Sequence, residues 1–64
     1  MRHGECHFIV KESVGRPFIA VEPSKEGQTL PAGLCFRLQG STDYDAAQKL
    51  ANLMNRSIID VCFE

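Results

Sequence analysis

The shortness of the chain limits its fold more than any other feature of the sequence. Its 64 residues leave room for a single domain, residues 1–64, and a chain of this size buries only about 60% of the surface that its unfolded form exposes. Small domains usually gain the missing stability from disulfides, a metal ion or a partner subunit. Each of these three leaves a different trace in a sequence.

The cysteines do not form a disulfide pattern. Cys6, Cys35 and Cys62 are odd in number, far apart and free of any Cys-x-x-Cys pair. Each lies in an apolar stretch, which predicts buried free thiols and a reducing compartment. The N-terminus lacks the apolar stretch of a secretory signal, and no segment approaches the roughly 18 apolar residues that cross a membrane. We therefore expect a cytoplasmic protein with no membrane partner.

Two runs rich in β-branched and aromatic residues, 6–11 and 17–22, predict a β-hairpin. A four-residue loop between them, over residues 13–16, sets the register of the two strands. The facing pairs on one side of this hairpin would be Val10 with Ile19 and Phe8 with Val21. Cys6 shares that face.

A helix is predicted from Asp43 to Arg56. Thr42 and Asp45 fit a capping box at its start. At 100° per residue its apolar side chains gather on one side, and they are Ala46, Ala47, Leu50, Ala51, Leu53 and Met54. This pattern places Leu50 at the centre of a buried stripe.

Residues 34–39 and 59–63 alternate between apolar and polar side chains and predict the third and fourth strands. The segment 23–33, with two prolines and two glycines, is a loop. Short connectors on both sides of the helix predict a right-handed crossover, with the third and fourth strands parallel. The expected fold is α+β, with one helix on one face of a mixed four-stranded sheet in the order β-β-β-α-β.

One helix cannot cover both faces of such a sheet. The side chains expected on the uncovered face, or beside it, form an apolar patch with a charged rim that is typical of a protein interface. These predicted interface residues are Ile9, Phe18, Ala20, Cys35, Arg37, Ile58 and Cys62. They predict a homodimer, or a dimer of dimers, with Phe18 and Ile9 near the interface centre.

No zinc site is expected from His3, Cys6 and His7, because neighbouring residues of a strand point to opposite faces. His3 is nevertheless the third residue, after an Arg2 that is too large to allow removal of Met1. The terminal amine, two deprotonated amides and the imidazole form a square-planar nitrogen set suited to Cu(II) or Ni(II). Apart from this N-terminal motif, no cofactor is predicted.

Two further chemistries are open alternatives. Cys62 and His7 would share a face if the first and fourth strands are neighbours, which suggests a minimal thiol enzyme. Lys11 and Arg37 around Phe18 suggest a thin platform for nucleic acid. The formal charge of −1 and the lack of a basic stripe argue against nucleic acid as a partner.

The strand order, together with residues 30–46, LPAGLCFRLQGSTDYDA, resembles the N-terminal domain of the HicB antitoxins. That family often has a Leu-Pro-Gly-Cys turn, a short strand that ends in Gly and a Thr-capped acidic helix start. The chain departs from it by extra residues within the turn and after Cys35. The resemblance implies a non-catalytic domain with a partial RNase-H-like fold that blocks a small toxic ribonuclease.

These observations predict a small bacterial-type interaction domain, not an enzyme, that self-associates through its sheet face. Antitoxin-like capture of a small protein partner is the alternative within the same class. A thiol enzyme or a metal-binding protein is the alternative outside it.

Overall fold

The computed structural model describes residues 1–27 and 30–64. These residues form four strands and one helix, with the bounds β1 Arg2–Ser13, β2 Arg16–Pro23, β3 Cys35–Arg37, α1 Tyr44–Ser57 and β4 Asp60–Phe63. The loop predicted over residues 23–33 includes positions 28–29, which lie outside the described residues. Within the described part of the chain, no helix is long and apolar enough to cross a membrane.

The hairpin of β1 and β2 has the register that its alternation predicts. Phe8 pairs with Val21, and Val10 pairs with Ile19. Cys6 lies on the same face and is buried. The order of apolar side chains along two neighbouring strands was sufficient to set this pairing, because a slip of one residue would turn every one of them to the other face.

The turn of the hairpin is tighter than the predicted four-residue loop. Ser13 pairs with Arg16, so only Val14 and Gly15 connect the strands. Both have positive φ angles, 52° for Val14 and 72° for Gly15. This is the backbone of a type I′ turn, whose twist matches that of the flanking strands.

The sheet has the order β3-β2-β1-β4, and each strand runs antiparallel to its neighbour. The predicted mixed sheet is therefore wrong, and so is the predicted parallel crossover between β3 and β4. These two strands lie at opposite edges of the sheet, with β2 and β1 between them. The α+β class and the sequence order of the elements are correct.

The side chain of Asn55 joins the end of α1 to β1, the strand with which β4 pairs. Its amide donates to the carbonyl oxygen of Phe8 and its oxygen accepts from the Phe8 amide, each at 2.8 Å. Asn55 thus occupies the edge of β1 at Phe8, as a neighbouring strand would. Beyond this point β4 pairs with the earlier part of β1, and it runs from Asp60 beside Glu5 towards the N-terminus.

Asp43, not Thr42, caps the N-terminus of α1. The Asp43 carboxylate accepts a hydrogen bond of 2.8 Å from the amide of Ala46. The amide of Thr42 instead donates to the carbonyl of Gln39 in the preceding turn. An acidic cap suits both the free amides and the positive end of the helix dipole.

The core lies between α1 and the face of the sheet that we call the inner face. Its buried members are Cys6, Phe8, Ile19 and Ala51, against which Val10, Val21, Leu30, Leu38, Met54 and Val61 pack. Ala47 is fully buried as well. The predicted buried stripe of α1 is correct only in part, because Leu50 is 40% and Leu53 51% exposed.

Candidate functional site

The opposite face of the sheet, which we call the outer face, carries most of the predicted interface residues. Ile9 faces Ala20, and Ala20 faces Cys35 across the neighbouring pair of strands. Phe18 faces Arg37 in the same way, and Cys62 lies on this face at the other edge of the sheet. Ile58 does not belong here, because it caps the C-terminus of α1 with its amide bonded to Met54.

One half of the outer face is a set of paired charges. Lys25 lies 2.9 Å from Glu5, and Lys11 lies 2.9 Å from Glu22. Because the Lys11 ammonium donates a hydrogen bond to it, the pKa of the Glu22 carboxyl is lowered from its usual value. These pairs are solvent-exposed, so each contributes little to stability.

The apolar half of the outer face is less exposed than the sequence suggests. Ile9 and Phe18 are half-buried and Ala20 is buried. Beside Phe18 the surface opens into a groove of about 440 Å³. Three predicted interface residues line it, Phe18, Cys35 and Arg37. The five other lining residues were not predicted to belong to a site, and they are Ser13, Val14, Arg16, Pro17 and Leu38.

The predicted thiol site is not formed by Cys62 and His7. Cys62 faces His3 across the pairing of β1 with β4, and His7 lies four residues further along β1, roughly 13 Å away at 3.3 Å per residue. His3 in turn has its Nδ1 atom 3.6 Å from the carboxylate of Asp60. The hydrogen bonds of the described residues include none to the sulfur of Cys62, so the thiol lacks a bonded base.

The three cysteines are free, but they differ in exposure. Cys6 is buried, as predicted, whereas Cys35 and Cys62 are exposed, contrary to the prediction. Burial raises the pKa of the Cys6 thiol, and the nearby carboxylate of Asp60 raises it further. A thiol of this kind is a packing group rather than a nucleophile.

The described residues contain no group of three metal-ligating side chains. His3, Cys6 and His7 are divided between the two faces, as expected, because Cys6 lies in the core. The N-terminal Cu(II) or Ni(II) motif depends on the amides of Arg2 and His3, and both residues pair with β4. Metal binding there would compete with the end of the sheet.

The surface that the sequence analysis missed is on α1. Ala47, Ala51 and Met54 are spaced by four and three residues and face the sheet. A second row begins one residue earlier, Ala46, Leu50, Leu53 and Ser57, and we call it the leucine seam. It has the spacing of a coiled-coil contact, and all four of its residues are exposed.

The leucine seam has a signal in the sequence, although periodicity alone does not reveal it. The two rows differ by one position, or about 100° around the helix, so they merge into a single apolar side. The signal is the difference in size, because one row has small alanines where close packing is required and the other has leucines. Both leucines of α1 are therefore on its solvent side, and Met54 is the large apolar side chain that it turns to the sheet.

No known protein-family model, curated protein or solved structure matches the chain.

Proposed function

We propose that this chain is a cytoplasmic, non-enzymatic interaction domain that forms a homodimer through the leucine seam. The proposal rests on the placement of Leu50 and Leu53 in solvent, while Ala47, Ala51 and Met54 face the sheet. In a lone domain of this size, the opposite arrangement would bury more apolar surface and stabilise the fold. A second copy supplies the missing contact.

The amount of exposed surface supports an association of this size. The accessible surface is 4783 Å², whereas a compact monomer of 7.1 kDa is expected to expose about 4,100 Å². The Cα radius of gyration is 12.1 Å, against about 10.7 Å for a compact domain of this length. The excess of roughly 700 Å² is close to the roughly 800 Å² that each partner buries in a stable interface.

A twofold arrangement suits the seam because it is self-complementary when two helices run antiparallel. With the axis between them, Leu50 of one copy contacts Leu53 of the other, and each small end residue, Ala46, meets Ser57. Closed twofold dimers of this kind are the commonest oligomers of soluble proteins. Ile59, which is 79% exposed just beyond α1, adds apolar surface beside the contact.

Light scattering at tens of micromolar protein tests the proposal. The unmodified chain should have twice the monomer mass, and Leu53→Asp should be a folded monomer because it places two carboxylates in the contact. Asn52→Asp is the matched control, since it introduces the same charge at the next position on the solvent side and should leave the dimer intact. A folded, monomeric wild-type chain would refute self-association.

The outer face of the sheet is the second candidate surface for the same association. Phe18→Asp distinguishes the two surfaces, because it should leave a seam dimer intact and dissociate a sheet-face dimer. If the wild-type chain is monomeric, the capture of a small protein partner, which the HicB resemblance implies, becomes the better proposal. A stable complex with a small ribonuclease is the measurement for that function.

A further inference from the structure

We propose that the groove beside Phe18 binds a small phosphate ester with an aromatic ring, such as a nucleoside monophosphate. In this assignment Arg16 and Arg37 hold the phosphate, and the ring lies against Phe18. The site is on the outer face and the leucine seam is on the helix. A failed test of the groove would therefore leave the proposed seam dimer unaffected, and the reverse is also true.

The charges of the groove favour a negatively charged ligand. All three lysines are paired with carboxylates, Lys11 with Glu22 and Lys25 with Glu5 at 2.9 Å, and Lys49 with Asp45 at 3.2 Å. Arg16 and Arg37 form no such pair with any described residue, and none of the described residues that line the groove is acidic. Two uncompensated guanidinium groups next to an apolar wall favour an anion.

The register of the sheet brings the two arginines together. Arg37 faces Phe18, and Arg16 precedes Phe18 by two residues and so points to the same face. Arg16 and Arg37 are diagonal neighbours on adjacent strands, with backbones roughly 7 to 8 Å apart. Side chains of this length can converge on one phosphate from that separation, and the planar fork of a guanidinium matches its oxygens.

The absence of a side chain at Gly40 leaves room for one of these guanidinium groups. A Cβ atom at Gly40 would lie 2.7 Å from a terminal nitrogen of Arg16. The Arg16 head therefore rests on the backbone of the turn that follows β3, in space that a side chain at position 40 would fill. A side chain at position 40 would therefore compete with the Arg16 head for this space.

The size and lining of the groove indicate a small ligand. Its volume of about 440 Å³ lies in the range of roughly 300–1,000 Å³ that is usual for small-molecule sites. Phe18, Pro17 and Leu38 provide an apolar wall for a ring. A long polyanion is disfavoured, because Lys11 and Lys25 on the other half of the outer face are already paired with Glu22 and Glu5.

Isothermal titration with adenosine monophosphate, adenosine and inorganic phosphate tests the assignment. Adenosine monophosphate should bind with a dissociation constant below about 1 mM, and the other two should bind at least tenfold more weakly, because each lacks one of the two contacts. Equal affinities for adenosine monophosphate and inorganic phosphate would show that contact between the ring and Phe18 contributes nothing to binding. The lack of any binding by adenosine monophosphate would overturn the proposal.

Three variants connect the binding to the named residues. Arg16→Gln and Arg37→Gln should each weaken binding of adenosine monophosphate at least tenfold, and Gly40→Ala should weaken it several-fold by displacing the Arg16 head. Arg56→Gln, at the far end of α1, is the control for loss of one positive charge and should have no effect. Equal weakening by Arg56→Gln would show that binding depends only on the overall charge of the protein, and it would refute the proposed site.

A short single-stranded oligonucleotide separates a small-ligand site from a nucleic-acid surface. At physiological salt it should bind no more tightly than adenosine monophosphate, since only one phosphate has arginine partners. Binding more than tenfold tighter would show a polymer-binding surface and contradict the small-ligand assignment. Amide chemical shifts of the wild-type chain should move around Phe18 and Arg37, and unchanged shifts there would place any binding elsewhere.

Discussion

Asn55 is the polar side chain with the most specific role in the fold. Its amide group satisfies both the donor and the acceptor of Phe8, on an edge of β1 where no described strand pairs. Main-chain groups that lose their partners in a partly buried place cost free energy, because water replaces those partners poorly. One side chain thus fixes the position of the helix along the sheet.

Asn55→Ala should lower the free energy of unfolding by about 1–3 kcal/mol, because it leaves the Phe8 amide and carbonyl without partners. Urea denaturation monitored by circular dichroism measures the change. Asn52→Ala removes an exposed amide that accepts a bond from Gln48, and it should change stability by no more than about 0.5 kcal/mol. Similar losses in the two variants would show that the bonds to Phe8 contribute little.

The buried thiol of Cys6 predicts a difference in reactivity. Iodoacetamide at neutral pH should modify Cys35 and Cys62 in the folded protein, whereas Cys6 should react only after unfolding, because its pKa is raised by burial and by Asp60. Mass spectrometry of digested protein identifies the modified residues. Modification of Cys6 at the rate of the other two would contradict its burial.

The same thiol gives stability a dependence on alkaline pH. The folded state keeps the Cys6 proton above the ordinary thiol pKa of 9.0, while the unfolded state releases it. The unfolded state therefore binds fewer protons in that range, and stability should fall as the pH rises through 9.0. Cys6→Ser should reduce this part of the alkaline slope.

At the scale of single elements, the hairpin turn contains a residue whose side chain disfavours the backbone conformation that the turn requires. Val14 has a φ of 52° and is 97% exposed, so neither its conformation nor its packing stabilises the turn. A β-branched side chain in the left-handed region costs roughly 1–2 kcal/mol. Asparagine is the residue that type I′ turns prefer at this position.

Val14→Asn should therefore raise the free energy of unfolding by about 1 kcal/mol. Gly15→Ala should have the opposite effect, because Gly15 has a φ of 72° and alanine is strained there. Thermal unfolding of both variants beside the wild-type chain measures the two changes. A destabilised Val14→Asn variant would show that the exposed valine has a partner in solution.

How much of each element could be predicted depends on whether its determinants are local. The register of β1 with β2 was predictable, because alternation and a short turn decide it within 20 residues. The direction of β4 was not, since β4 pairs with β1, which lies at the other end of the sequence. The helix bounds were close to correct, whereas the cap was assigned to Thr42 because a capping box and an acidic cap at Asp43 have nearly the same spacing.

In the candidate surfaces, too, the residues placed by a local pattern were predictable and those placed by tertiary contacts were not. The alternation of the strands correctly brought Phe18, Cys35 and Arg37 to one face. It did not reveal Arg16, whose place in the groove depends on the tight turn and on the missing side chain at Gly40. The leucine seam was missed because an amphipathic pattern shows which side of a helix is apolar, but not how much of that side the sheet can cover.

At the scale of the whole molecule, the structure has too little core for its surface. The elongated shape, 33 by 23 by 20 Å, follows from one helix that contacts only β1 and β2 while β3 and β4 extend beyond it. A small core of this kind contributes only a few kcal/mol of stability. Under the proposed homodimer, association would supply a large part of the stability of the native state.

The melting temperature should accordingly depend on protein concentration. If the dimer is the stable form, dilution favours the unfolded chain by mass action, and the melting temperature of the wild-type protein should rise by several degrees for each tenfold increase in concentration. Leu53→Asp should melt lower and at one temperature regardless of concentration. A wild-type melting temperature that is independent of concentration would contradict an obligate dimer.

The bond between Phe8 and Asn55 also has a consequence for the newly made chain. The two residues are 47 positions apart, and synthesis at about 5–20 residues per second separates them by roughly 2 to 9 seconds. During that interval the hairpin can form while its edge still presents free amides and carbonyls to other nascent chains. Charged side chains on an edge strand disfavour pairing with another chain, and Lys11 and Glu12 follow Phe8 on β1.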